Sequence, residues 1–173
     1  MNNIKSFLNG DVLEIGVGQG RMTEKLLQHN INFIGVDLNE NCIEYCKNKF
    51  LDNKNAVFYK NNGLTLPMIE DNSINFVFSW DSFVHMHKNV VESYLVELNR
   101  VLKIRGYAFI HHSNFSGGTK HSIENLAGRA NLKPKEVVEM CKKNNLEVLS
   151  QKFIDWSNEN FELHDTVSII KKV

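Results

Sequence analysis

Apolar and polar positions along this chain fall into blocks whose period switches between two and three-to-four residues. Asp11-Val12-Leu13-Glu14-Ile15 is a short apolar run that ends in glycines and precedes a helical stretch from about Arg21 to His29, which reads as strand, tight turn, helix. Phe33-Ile34-Gly35-Val36 is a second strand. Asn39 caps a helix carrying Ile43, Tyr45, Cys46 and Phe50, and Ala56-Val57-Phe58-Tyr59 follows as a third strand. Ile74 to Trp80 reads as a fourth. The stretch Val90 to Leu102 places Val91, Leu95, Leu98 and Leu102 on one helical stripe, and Gly106 then leads into a fifth strand, Tyr107-Ala108-Phe109-Ile110. A helix over Pro134 to Lys143, a strand near Leu146 to Ile154 and a last strand near Thr166 to Ile170 complete the order. Alternation of strand and helix predicts a doubly wound, mostly parallel α/β sheet covered on both faces. Two final strands with no helix between them predict an antiparallel edge strand.

Composition narrows the function. At 173 residues with 42% hydrophobic positions, the chain is expected to form a single domain over 1–173. Lys plus Arg and Asp plus Glu are both 20, so no electrostatic footprint for nucleic acid or an anionic membrane is present, and a small-molecule partner fits better. Cys42, Cys46 and Cys141 form neither a CxxC pair nor an even set, which argues against a disulfide framework and a thiolate zinc site. Cys42 and Cys46, one helical turn apart, suit a buried helix face better than metal. With no signal-peptide pattern and no apolar run near the ~18 residues that span a bilayer, the expectation is a cytoplasmic protein.

The first candidate site is the loop Glu14-Ile15-Gly16-Val17-Gly18-Gln19-Gly20, set between a strand and a helix where glycines let a backbone approach a ligand closely. A dinucleotide fold favours GxGxxG, whereas the glycines here are evenly spaced. Glu14 would repel a pyrophosphate but can receive a positively charged amino group through water. A purely structural glycine turn is the alternative, and the second strand bears on it: it ends in Asp37, whose two oxygens can accept from both hydroxyls of a ribose.

Further along stand Tyr59-Lys60-Asn61-Asn62-Gly63-Leu64-Thr65-Leu66-Pro67, Glu70 to Val77, and Arg100-Val101-Leu102-Lys103-Ile104-Arg105-Gly106. Together with the glycine loop, these four segments in this order resemble the class I S-adenosylmethionine-dependent methyltransferase family over roughly residues 10 to 113. The resemblance implies a Rossmann-like, seven-stranded fold and S-adenosylmethionine as cofactor. It puts the amino-acid part of the cofactor on Gly16, Gly18 and Gly20, the ribose on Asp37, and the adenine on Asn62 with Gly63. Leu38 beside Asp37, and Ser79 and Trp80 at the end of the fourth strand, count among the cofactor's neighbours, although Trp80 suits the core equally well. The chain departs from the family at Asn62, where Asp is usual, and at Ile104-Arg105-Gly106, where Pro-Gly-Gly is common. Only about ten residues precede the first strand, where many relatives carry helices, so the site is open or the chain is a trimmed form.

The acceptor end is expected where strands four and five finish, because ligands of open parallel sheets bind at the carboxyl ends of the strands. Asp81, His85, His111 and His112 lie there. Transfer to a hydroxyl needs its proton removed as the oxygen attacks, and His is the side chain best matched to that at neutral pH, with Asp81 orienting the ring or holding the acceptor. Strand periodicity prevents His111 and His112 from both facing one cleft. The competing reading is that these histidines cap strands or fill core, and a divalent ion on the same cluster is a third. The loop Gly117 to His121, and Phe153 to Trp156 with His164 to Thr166, are further pocket candidates, explained equally well as surface or edge-strand packing. The expected activity is methyl transfer to a small polar metabolite, an oxygen of a sugar-like acceptor first. A nitrogen acceptor or a non-catalytic binding subunit are the alternatives. A nicotinamide oxidoreductase is disfavoured by the glycine spacing, and nucleic-acid modification by Ser79-Trp80-Asp81-Ser82 after strand four.

Overall fold

The computed structural model describes residues 4–115, 128–156 and 164–173. Its elements are β1 (Gly10–Ile15), α1 (Thr23–Leu26), β2 (Ile31–Asp37), α2 (Glu40–Lys49), β3 (Ala56–Lys60), β4 (Ile74–Ser79), α3 (Lys88–Val101), β5 (Leu102–Ser113), α4 (Pro134–Lys143), β6 (Leu146–Asp155) and β7 (His164–Lys172). The loop 117–121 lies outside the described residues. One seven-stranded sheet runs in the order β3-β2-β1-β4-β5-β7-β6. The first five strands are parallel, and β7 pairs antiparallel with both β5 and β6. The strand order reverses between β1 and β4, which opens a crevice at their carboxyl ends.

Period-two alternation assigns each strand residue to a face. Val12, Phe33, Phe58, Phe76 and Phe78 lie in one core with Ile43 of α2 and Leu26 of α1. Their neighbours Leu13, Ile15, Val77, Ala108 and Ile110 lie in the opposite core, under Leu95 and Leu98 of α3 and Val137 of α4. Burying one such side chain is worth about 1.5–3 kcal/mol, so the two cores hold the sheet between its layers. Asn39 caps α2 by accepting from the Asn41 N–H at 2.9 Å.

Two elements differ from the sequence pattern. The helix expected over Arg21 to His29 is only Thr23–Leu26, because the chain turns at once into β2. The fifth strand runs from Leu102 to Ser113, well beyond both ends of Tyr107 to Ile110, and its pairing with β4 shifts register between Ile74 and Phe76. Antiparallel pairing to β7 extends it, with His111 opposite Val167 and His112 opposite Thr166. The connection from β3 to β4 is stitched by Arg100, whose guanidinium donates to the carbonyls of Leu66 and Ile69, each at 2.8 Å, and to Asp71 at 2.7 Å. Among the described residues, no helix is long and apolar enough to cross a membrane.

Candidate active site

A cavity of about 560 Å³ opens at the carboxyl ends of β1, β2 and β4, within the size range of small-molecule sites. Gly16, Gly18, Asp37, Leu38, Asn62 and Gly63 line one part of it, and Asp81 and His85 line another. Residues that sequence reasoning did not single out join them, notably Asn61, Ser82 and Tyr94. Asn61 is buried and donates to the Tyr94 hydroxyl at 2.7 Å, a contact between the residue that follows β3 and α3 that spacing along the chain does not announce.

The three loop glycines have positive φ for different reasons. A Cβ at Gly16 would lie 2.4 Å from Ser82 Oγ, and one at Gly20 would lie 2.5 Å from the Phe50 ring, so both are needed for close packing. At Gly18, with φ +51°, a Cβ meets nothing within 4 Å, and the space beside it is the cavity that Gly18 lines. Asp37 braces this loop: Oδ2 accepts the Gly18 N–H and Oδ1 the Asn39 N–H, both at 2.8 Å. Each oxygen keeps a further lone pair for a ligand hydroxyl. Asn62 spends its side-chain oxygen on its own turn, accepting from the N–H groups of Leu64 (2.9 Å) and Thr65 (2.8 Å). Leu38, 62% exposed, sits against Gly63 as an apolar platform in the cavity wall.

Other sequence-predicted residues lie outside the cavity lining. Glu14 is 2% exposed, and its carboxyl, pushed up to about 8 by burial, takes a 2.6 Å hydrogen bond from the Thr23 hydroxyl behind the loop. Gly20 packs on α2. Ser79 is buried and donates to the Ile15 carbonyl at 2.7 Å, joining β4 to β1. Trp80 turns to the opposite face of the sheet, stacked on Phe109 and on the His111 ring.

The four acceptor-end residues separate by environment. His111 and His112 point to opposite faces of β5, and both are 1% exposed. The His111 Nδ1 accepts from the Asp81 N–H at 3.1 Å, which leaves Nε2 to donate to Asp165 at 3.1 Å. His112 donates from Nδ1 to the Ser113 carbonyl and meets Ser168 Oγ at Nε2, and burial lowers its pKa to about 4. Asp165 is the hub of the first network. It receives Arg129 at 2.8 Å and the Trp156 indole N–H at 2.9 Å as well as His111. Burial opposes its ionisation, but the His111 and Arg129 hydrogen bonds prevail and hold its carboxyl below the usual range. Asp81 has φ +60° and stands 3.4 Å from Arg21 and 3.7 Å from Arg129. His85 is exposed, on the single turn Phe83–His85, with Nδ1 3.0 Å from the Gly128 carbonyl. A carbonyl only accepts, so Nδ1 carries a proton, and in the neutral ring Nε2 then keeps the lone pair. Among the described residues, no group of three or more His, Cys, Asp or Glu could hold a metal ion.

Residues 12–106 of the chain match the family described as Methyltransferase domain. The chain belongs to the S-adenosylmethionine-dependent methyltransferase family. A phosphoethanolamine N-methyltransferase 1 of Triticum aestivum is 32% identical over 129 residues, covering 69% of this chain and 25% of that protein. The chain thus spans about a quarter of the length of the curated relatives it matches. A methyltransferase of Methanosarcina mazei superposes with a TM-score of 0.72 at 16% identity, covering 100% of this chain and 98% of its own. A geranyl diphosphate methyltransferase in complex with S-adenosylmethionine superposes with a TM-score of 0.77 at 12% identity, covering 96% and 79%.

The cavity fits the methyltransferase cofactor. Gly18 offers the open cradle that a Cβ would fill, the Asp37 oxygens have lone pairs for ribose hydroxyls, and Leu38 with Gly63 forms an apolar wall beside Asn62. When bound, S-adenosylmethionine supplies an electrophilic methyl group on a sulfonium. The glycine loop and Asp37 would hold it, leaving Asp81 and His85 on the same cavity for the acceptor.

Proposed function

We propose that this domain methylates a small polar acceptor and that His85 takes the proton the acceptor gives up. The observation that carries this reading is the placement of His85: its Nδ1 lies 3.0 Å from the Gly128 carbonyl, which takes the Nδ1 proton, so the neutral ring has Nε2 as its proton acceptor, and the residue lines the cavity that Gly18 and Asp37 also line. Asp81 has an exposed carboxylate on the same cavity and can hold a cationic group of the acceptor. An amine acceptor is supported by that carboxylate and by the wheat relatives, whose names give phosphoethanolamine nitrogen as their target. An ammonium must lose a proton to expose its lone pair, and His85 Nε2 receives it. A hydroxyl of a sugar-like acceptor is the second reading, favoured by the same free Nε2, because an alcohol is a useful nucleophile only as its proton leaves.

Incubating the protein with S-adenosylmethionine and, in separate reactions, phosphoethanolamine, ethanolamine or a panel of sugars tests both. Formation of S-adenosylhomocysteine dependent on an amine supports the first reading, and dependence on a sugar supports the second. Cofactor binding without turnover on any acceptor would favour a non-catalytic binding subunit.

A further inference from the structure

A second cleft, about 680 Å³, lies on the sheet face that carries α1 and α2, and shares no lining residue with the cofactor cavity. Its floor is apolar: Phe78 of β4, Phe109 of β5 and Val167 of β7 stand side by side. Trp80 stacks on Phe109 at 6.1 Å, and Phe153 of β6, 52% exposed, forms a lip. Phe7 covers the same face further down, stacked on Phe76 and tilted against Tyr107, so the open stretch begins where that cover ends. The lining also carries Arg21, which is paired with Asp81 at 3.4 Å, and Lys25 and Lys152, against a single lining acid, Asp155, which sits 3.5 Å from His164. Lys25 and Lys152 are exposed, and neither forms an ion pair among the described residues.

An apolar trough of ligand size with unmatched cations selects one class of occupant. A neutral hydrocarbon would bury the floor but leave the cations unused, while a protein surface calls for a broader, flatter patch than this volume. Lysine stems can lie along apolar surface with their ammonium groups at the mouth, where they raise the local concentration of anions. We propose that this cleft binds a single amphipathic anion, its hydrocarbon chain lying along Trp80, Phe109 and Phe153 above the buried Phe78 and its carboxylate or phosphate held by Lys25 and Lys152.

Dodecanoate and dodecyl phosphate, each below its micelle-forming concentration, are titrated into the full chain by calorimetry and tryptophan fluorescence, with dodecyl maltoside as the neutral-headed probe. Saturable one-to-one binding of either anion, unchanged by saturating S-adenosylhomocysteine, is expected, and the order of the two affinities distinguishes a carboxylate from a phosphate head. The double variant Lys25→Glu with Lys152→Glu, at exposed positions that leave the fold intact by circular dichroism, should weaken it by about tenfold or more. Phe153→Ser, at the exposed lip, should weaken it as well. Absence of saturable binding, equal affinity for the maltoside, or indifference to the charge reversal overturns the proposal. So does sedimentation showing self-association that Phe153→Ser abolishes, since a second copy would then be the occupant.

Discussion

The backbone N–H of Gly18 donates to Oδ2 of Asp37 across 2.8 Å, so the loop after β1 and the carboxylate that ends β2 are a single unit. A cofactor held by either is held by both. Asp37→Ala would remove the brace and the ribose acceptor together, and S-adenosylmethionine affinity should fall by about 1.5–3 kcal/mol. Calorimetric titration checks this, and unchanged affinity would remove Asp37 from the site.

Gly18→Val separates cofactor binding from folding. The added side chain enters cavity space and not a neighbouring group, and the positive φ costs about 1–2 kcal/mol for an L-residue. The expected variant is folded, modestly lowered in melting temperature, and unable to bind S-adenosylmethionine. Normal binding would show that the cavity beside Gly18 is not where the cofactor lies.

Glu14 makes a stability prediction with a definite sign. Burial raises its carboxyl from an ordinary 4.5 to about 8, the Thr23 hydrogen bond opposes that shift, and Asp37 adds to it. Between those values the folded chain keeps a proton that the unfolded chain loses. The contribution is therefore full below 4.5 and lost as pH rises through 8, at about 1.4 kcal/mol per unit at most. Glu14→Gln stays neutral and removes this dependence. Urea unfolding should show the variant gaining on the parent from pH 5 to pH 8, and parallel profiles would mean that Glu14 is ionised in the folded protein.

The glycine loop, Asp37 and the strand–helix alternation were readable because each is local: a turn, a strand end and a periodicity within about ten residues. The fate of Trp80 and His111 was not. Which face of β5 is closed over His111 depends on β7 pairing beside it, which brings Asp165 to a histidine 54 positions earlier. Arg129 and Trp156 reach the same carboxylate from two other segments, and no motif spacing joins the four. Strand alternation did separate His111 from His112, but burial on both faces, set by Trp80 on one side and Ser168 on the other, is a tertiary fact.

His112 carries the opposite sign to Glu14. Burial, the largest cause, lowers it from 6.5 to about 4, so the unfolded chain binds the extra proton in that window. Its contribution is present above 6.5 and lost as pH falls toward 4. His112→Asn should be less stable than the parent at pH 7, by about 1–3 kcal/mol for the Ser168 hydroxyl proton that loses its acceptor while Gln151 still donates to the oxygen, yet lose less on acidification. Equal acid sensitivity in both proteins would mean that His112 is already charged in the folded state.

The sharpest contrast is between His85 and His111. Both ring nitrogens of His111 are committed, to the Asp81 N–H and to Asp165, inside a site 1% exposed; His85 has one nitrogen committed and lies exposed on the cavity. A base needs a lone pair within reach of the acceptor, so replacing His85 should act on turnover and replacing His111 on structure. His85→Ala is expected to retain its melting temperature and S-adenosylmethionine affinity while turnover with a saturating acceptor drops roughly 10²–10⁴-fold. His111→Ala leaves Asp165 and the Asp81 N–H short of a partner and releases a residue held at φ +60°. It should cost about 1–3 kcal/mol of stability and disturb turnover only through the Asp81 loop. The pH profile tells the two apart: removing a true base abolishes the acidic limb of kcat, whereas a loosened loop lowers the whole profile without changing its shape. If His85→Ala turns over at the parent rate, proton transfer falls to Asp81 or to solvent, and positioning by the cavity is what this domain supplies.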